Sequence, residues 1–230
     1  MNPKPDLHAI YLARRPNSQS FQDAKARSKP VVDDLVNLGF DVALVSDLYN
    51  GRMDYGAAFP VLLHWLPLVD DKYIKLEIIH ALTTKWARPV AVPVLLEEFR
   101  RLPDDIYGTP HVKWAIGRAL EVLAGPDDFA DLASIARDKK HGQARQKVVY
   151  AFWRMKDPRA VSVLIAVLDD ADVAGHAFSA LAGLAPPSAR PHFLRFAQDP
   201  RPWWRKTAQR AIAKIDKKLA NERPAGDNAN

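Results

Sequence analysis

An alanine followed by a large apolar residue recurs at regular intervals from residue 81 onward. The pairs begin at Ala81, Ala119, Ala151, Ala180 and Ala211, with spacings of 38, 32, 29 and 31 residues. With one exception, the positions seven and three residues before each alanine and four residues after it are also apolar. These offsets lie on one stripe of an α-helix. The pattern therefore predicts five amphipathic helices that repeat one structural unit.

A second apolar stripe follows each of the first four helices after thirteen or fourteen residues. It begins at Leu95, Leu132, Leu164 and Phe193. Connections such as KDPRA and APPSARP separate the two stripes, and proline suits the first turn of a helix while stopping the helix before it. Each unit is thus predicted to be a helical hairpin, and AAFPVLLHWL provides a weaker copy upstream. No run alternates with period two, so we expect no strands.

The hairpins resemble HEAT repeats, particularly the bacterial kind grouped with phycobilisome-lyase HEAT-like proteins. The resemblance covers residues 56–218 and rests on KDPRAVSVLIAVLDD, on the repeated alanine, and on apolar-basic pairs such as Val112-Lys113 and Trp204-Arg205. It implies an all-α fold, a superhelical α-solenoid of about five to six stacked antiparallel helix pairs, with first helices on the convex side. We interpret the basic residues of these pairs structurally, as helix caps or ion pairs between repeats.

The predicted organisation has three segments. Residues 1–28 form an N-terminal extension, residues 29–218 the solenoid, and residues 219–230 a polar, disordered tail. The N-terminus lacks the apolar core of a signal peptide, and the longest apolar stretch, GAAFPVLLHWLPLV, is broken by prolines. With no cysteine in 230 residues, we expect a cytoplasmic monomer that does not enter a membrane.

Catalytic and cofactor chemistry finds little support in the chain. The seven histidines show no metal-ligand spacing and none stands beside a glutamate, so we predict no metal site and no cofactor. Phosphate-binding glycine loops and nucleophile elbows are absent from the sequence. Paired aspartates fall mostly at predicted helix ends, where capping explains them better than acid-base catalysis.

Two tryptophans point away from the apolar stripe and mark a candidate partner-binding patch. Trp114 and Trp153 both lie about 165° from the stripe on adjacent first helices, and Arg118, Tyr150 and Arg154 share that side. Tryptophan, tyrosine and arginine are enriched in interaction hot spots. A partner protein and the docked N-terminal extension are equally good occupants of this convex patch.

A basic and aromatic cluster near the C-terminus offers a possible nucleic-acid contact. It comprises Arg201, Trp203, Arg205 and Lys206, and most of the formal charge of +6 comes from the same half of the chain. HEAT-like DNA glycosylases hold DNA in a basic concave groove. Here the predicted concave positions carry six acids against four bases, which opposes a phosphate track.

From these features we predict a non-catalytic scaffold or adaptor that captures a protein partner on a solenoid surface. The alternative is a nucleic-acid-binding protein, related in its most specific form to the HEAT-like DNA glycosylases. Steep weakening of binding by salt would distinguish the alternative.

Overall fold

The computed structural model describes residues 18–51, 53–103 and 112–222, and these residues form helices without any strand. The α-helices before residue 104 are α1 (Gln19–Asn37), α2 (Ser46–Asn50), α3 (Phe59–Leu68), α4 (Lys72–Leu82) and α5 (Arg88–Arg101). Those that follow are α6 (Val112–Leu123), α7 (Phe129–Arg137), α8 (Gln146–Met155), α9 (Ala160–Ala166), α10 (Ala174–Leu184), α11 (Arg190–Leu194) and α12 (Pro202–Glu222). The predicted all-α class is confirmed for the described residues.

The chain divides into two compact units, and the division between Val94 and Leu95 falls inside α5. In the first unit, α3 packs against both α1 and α4, while α2 packs against α4. Leu35, Leu62 and Ile78, which lie on three of these helices, are fully buried. The first unit is therefore a small helical cluster with its own apolar interior.

The second unit contains two sets of helices that we call first helices (α6, α8, α10 and α12) and second helices (α7, α9 and α11). The first helices pack side by side in chain order, α7 packs against α9, and α11 packs against α12. The repeated alanines of these four helices are no more than 2% exposed. They are Ala119, Ala151, Ala180 and Ala211. The predicted stripe is thus the core face of each first helix, while a continuous solenoid stays a prediction.

Short 3₁₀ helices directly precede α5, α7 and α11, where the sequence places proline or a polar turn. They span Lys85–Ala87, Pro126–Asp128 and Pro187–Ala189. Proline fixes a helical φ and has no N–H to leave unpaired in a first turn. The proline-rich connections therefore start helices, as the sequence predicts.

Basic residues at the start of the first helices bind backbone carbonyls of the preceding segment. The Lys113 ammonium and the Arg145 and Arg205 guanidinium groups each donate such a bond, at 2.9, 2.9 and 2.6 Å. The acceptor carbonyls belong to Leu102, Ala136 and Asp199. Cations favour the negative end of a helix and satisfy its unpaired carbonyls. The structural interpretation of this basic column is confirmed at these three positions.

The predicted segment boundaries meet the helices at both ends of the chain. The boundary between residues 28 and 29 falls within α1, and α12 continues to Glu222, four residues into the predicted tail. The predicted disorder is therefore wrong for residues 219–222, which form the last turn of α12. Residues 1–17 of the predicted extension and residues 223–230 of the tail lie outside the described residues. Within the described part, no helix is both long and apolar enough to cross a membrane.

Candidate functional site

Aromatic side chains are partly exposed along one side of the second unit. Trp114 on α6 is 36% exposed, Trp153 on α8 is 37% exposed and Trp203 on α12 is 49% exposed. All three project from first helices, and we call the side that they share the first-helix surface. The predicted outward orientation of Trp114 and Trp153 is confirmed, whereas their role in binding is not thereby tested.

Trp153 lies flat in a space that a glycine leaves open on the next first helix. A methyl group added at Gly183 of α10 would overlap the indole Nε1 and Cδ1 atoms of Trp153. On its own helix, Trp153 meets Tyr150 with ring centroids 5.4 Å apart. The exposed indole is therefore held in place by neighbours on two helices rather than free to move in solvent.

A buried glutamate links the three basic side chains of the surface. Glu121 of α6 is only 5% exposed. Its Oε1 forms an ion pair with the Arg118 guanidinium at 2.9 Å and accepts a hydrogen bond from Arg154 at 3.4 Å. Its Oε2 lies 3.9 Å from the Lys147 ammonium and accepts no hydrogen bond. One carboxylate thus sits among three cations, which leaves this cluster with a net positive charge.

Lys147 connects the cluster to the aromatic rings. Its ammonium lies 5.0 Å from the centroid of the Trp114 ring and 5.9 Å from that of the Tyr150 ring. A cation over an aromatic face is attracted by the ring quadrupole. Lys147 therefore covers part of both rings and ties α8 to α6.

A groove of about 470 Å³ opens between the first helices beside this cluster. Its lining comprises Lys147, Tyr150, Gly175, His176, Ser179 and Trp203. The lining is mostly apolar in area, with a lysine, a hydroxyl and aromatic edges placed around it. Concave sites of this kind, at about 300–1,000 Å³, are where proteins most often hold small groups of a ligand.

His176 is the groove residue whose protonation responds most to its surroundings. Burial lowers the pKa of His176 and the Lys147 ammonium lowers it further, while Glu121 opposes them. An imidazole with a pKa below its usual value near 6.5 is neutral at pH 7. Lys147 is therefore the charged side chain of the groove lining at neutral pH.

All five residues predicted for partner binding lie on the two adjacent helices α6 and α8. Two of them, Arg118 and Arg154, meet on Glu121, and Tyr150 and Trp153 are in ring contact. Trp114 joins them through Lys147. Glu121, Lys147 and His176 were not predicted, although all three stand within four residues of the repeated alanines.

The four residues of the predicted nucleic-acid contact have different surroundings in the structure. Arg201 pairs with Asp199 at 2.8 Å, and Arg205 donates to backbone carbonyls, so both guanidinium groups have partners within the protein. Lys206 is exposed, and Trp203 lines the groove of the first-helix surface. Trp203, which the sequence grouped with a possible nucleic-acid contact, therefore lies on the first-helix surface with the other exposed tryptophans.

Charged residues on α5, on α7 and in the segments that follow α9 and α11 form two ion pairs. Arg100 pairs with Asp131 of α7, and Arg195 pairs with Asp169 at 2.8 Å. The Arg195 guanidinium lowers the pKa of Asp169. These pairs join successive repeats and leave no uninterrupted basic track among them.

Within the described residues, no three histidine, aspartate or glutamate side chains come together in a way that would hold a metal ion. Comparisons with family models, with curated proteins and with solved structures found no match for this chain. The resemblance to HEAT repeats therefore stays a prediction. What the protein binds has to be inferred from the chemistry of the first-helix surface.

Proposed function

We propose that this protein is a non-catalytic binding module, a scaffold or adaptor that captures another protein on the first-helix surface. The observation that supports this most is the set of three partly exposed tryptophans, one of which lines a groove, on helices that pack side by side. Exposed aromatic clusters on a folded domain mark interaction sites more often than scattered apolar residues do. The surrounding arginines complete the composition of an interaction hot spot.

Rigidity of the surface also supports a binding role. Trp153 rests against Gly183, and Arg118 and Arg154 are held by the buried Glu121. Side chains that are already ordered lose little conformational entropy when a partner arrives. The surface is thus preorganised for a protein interface of defined shape.

Nucleic acid is the weaker alternative. A phosphate track needs cations that are free to neutralise phosphates, yet Arg201 and Arg195 are paired with aspartates. The Lys147 ammonium also lies over the Trp114 and Tyr150 rings, where a base would have to stack. We therefore favour a protein partner.

Affinity capture from native lysate, with variants of the full chain as bait, tests the proposal. We expect the wild-type chain to retain a protein that is lost when Trp114→Ala and Trp153→Ala are combined. Truncating a hot-spot tryptophan costs about 2 kcal/mol or more, or roughly 30-fold in affinity. Leu194→Ala is the matched control, because Leu194 is an apolar residue of the same unit that is 50% exposed on a second helix.

Because Trp153 packs against Gly183, circular dichroism should establish that each bait is folded. Trp114→Ala alone provides a variant that leaves the contact between Trp153 and Gly183 intact. Retention of the same protein by the double variant would refute the proposal. Release of the captured material by nuclease, with binding that weakens steeply in salt, would favour the nucleic-acid alternative.

A further inference from the structure

The first helices carry a surplus of positive charge that the second helices of the same unit lack. Helices α6, α8, α10 and α12 contain ten lysine and arginine residues against three acids, Glu121, Asp216 and Glu222. The shorter helices α7, α9 and α11 contain two basic residues and one acid. Six of the ten lie on α12, two each on α6 and α8 and none on α10, and Lys113 of α6 is buried. The surplus therefore lies mainly on α12, the helix that bears Trp203.

Two of the three acids on the first helices are already paired. Glu121 is buried among Arg118, Lys147 and Arg154. Asp216 forms a two-pronged pair with Arg190 of α11, at 2.7 and 3.1 Å. Neither carboxylate is left to balance the remaining cations of the surface.

Beside these cations, the groove offers a place for an apolar anchor. The Trp203 and Tyr150 rings and the Gly175 backbone line it, and none of its lining residues is acidic. At about 470 Å³ the groove has room for one large side chain of a partner. Buried aromatic or aliphatic anchors in such pockets carry most of the energy of peptide recognition.

From this juxtaposition we infer that the partner contributes an acidic segment that carries an aromatic residue, with the ring in the groove and the carboxylates beside Lys147 and Arg210. This inference rests on the proposed function. Arg210 is exposed and stands seven residues after Trp203 on α12, nearly two helical turns away and hence on the same face. Opposite charge around an apolar anchor sets both the rate and the specificity of association.

Carboxylate suits this surface because the protein already places one there. Oε1 of Glu121 forms ion pairs with both Arg118 and Arg154, and each guanidinium has donors beyond the one nearest this oxygen. Both arginine side chains are close to half exposed. Planar guanidinium groups pair with carboxylates in defined geometry, so a second carboxylate can accept from the N–H groups that Glu121 does not use.

The test is a nuclear magnetic resonance titration that follows the indole N–H signals of the six tryptophans of the full chain. The probe is a short peptide of aspartate and glutamate with one central phenylalanine. We expect the signals of Trp203 and Trp153 to shift, while those of Trp65 and Trp86 in the first unit stay in place. Single Trp→Phe variants assign the signals.

Two further peptides and one oligonucleotide separate the contributions. Replacing the phenylalanine by alanine, or the acids by asparagine and glutamine, should each weaken binding at least tenfold. Lys147→Gln should do the same. Lys140→Gln is the control, because Lys140 is exposed and pairs with Asp138 in a connecting segment. Arg210→Gln provides a second variant that removes no buried contact, and it should weaken binding several-fold.

The inference is overturned if the acidic peptide shifts neither the Trp203 nor the Trp153 indole signal at millimolar concentration. It is overturned as well if the neutral peptide binds as tightly as the acidic one. It is also overturned if oligothymidylate shifts the same signals at lower concentration than the peptide. Failure of the peptide while Trp114→Ala and Trp153→Ala still abolish capture of a protein would remove the acidic segment and leave the proposed function standing. Failure in both assays would remove both.

Discussion

Arg145 is the most deeply buried cation of the second unit, and its removal provides a quantitative test of how the helices are joined. Its side chain is 0% exposed. The guanidinium donates to the carbonyls of Ala136 and Gly142 at 2.9 Å each, and to the Asp170 carboxylate at 3.0 Å. One side chain thus ties the end of α7 and the segment after α9 to the start of α8.

We expect Arg145→Met to lower the free energy of unfolding by about 3–5 kcal/mol, since removing one partner of a buried pair leaves the other charge uncompensated. Methionine retains an unbranched apolar stem but has no atoms in place of the guanidinium, so a small cavity adds to the cost. Asp170 is only 10% exposed, and two carbonyls lose their donor, each at a cost of about 1–3 kcal/mol where water cannot replace it. The change is a large fraction of the ~5–15 kcal/mol typical of a domain.

Urea unfolding followed by circular dichroism and tryptophan fluorescence measures the change. The matched control is Arg190→Met, since Arg190 and Asp216 form an ion pair on the surface, with side chains 38% and 45% exposed. Exposed pairs contribute about 1 kcal/mol or less. If Arg145→Met costs no more than Arg190→Met, the buried cation does not join the helices as described.

Two further predictions concern packing and titration. Gly183→Ala should displace the Trp153 indole, lower the free energy of unfolding by about 1–3 kcal/mol and weaken partner binding. The control is Gly175→Ala, which should not destabilise the fold because the space at its Cβ position is open. Urea unfolding measures both changes. Hydrogen bonding to Arg201 lowers the pKa of Asp199 to about 2, so this carboxylate favours the folded state above its unfolded pKa, and that contribution disappears as the pH falls from about 4 to about 2. A carboxyl titration by nuclear magnetic resonance should find the pKa of Asp199 returned toward 3.8 in Arg201→Gln, and an unchanged pKa would contradict the pairing.

The core of the second unit could be predicted because one residue type recurs at one position. Ala119, Ala151, Ala180 and Ala211 are buried, since a small residue allows neighbouring helices to approach closely. The basic column could also be predicted, because Lys113, Arg145 and Arg205 each stand six residues before a repeated alanine. The period of the apolar residues indicates which side of a helix is buried. It therefore predicted both the buried alanines and the basic column.

Two of the groove residues, Lys147 and His176, were missed because they stand at the edge of the apolar stripe. Lys147 and His176 each lie four residues before a repeated alanine, about 90° from the centre of the stripe. At that angle a side chain can face either a neighbouring helix or solvent. Only the packing of α8 against α10 decides this, and it depends on contacts far apart in sequence.

The burial of Glu121 could not be predicted from its position on its own helix. It stands two residues after Ala119, as Trp153 stands two residues after Ala151, so both should face outward. Glu121 is nevertheless buried, because Lys147 and Arg154 of the next helix reach over it. The signal that could have identified it is the presence of cations at matching positions on adjacent repeats.

Hydroxyl-radical footprinting of the full chain, alone and bound to its captured partner, tests the first-helix surface most directly. We predict that oxidation of Trp114, Trp153 and Trp203 slows severalfold in the complex, whereas Leu194 and Trp86, which are 50% and 47% exposed, react as in the free chain. Unchanged oxidation of the three tryptophans in the complex, or their protection in the free chain by the N-terminal residues, would contradict partner capture on this surface.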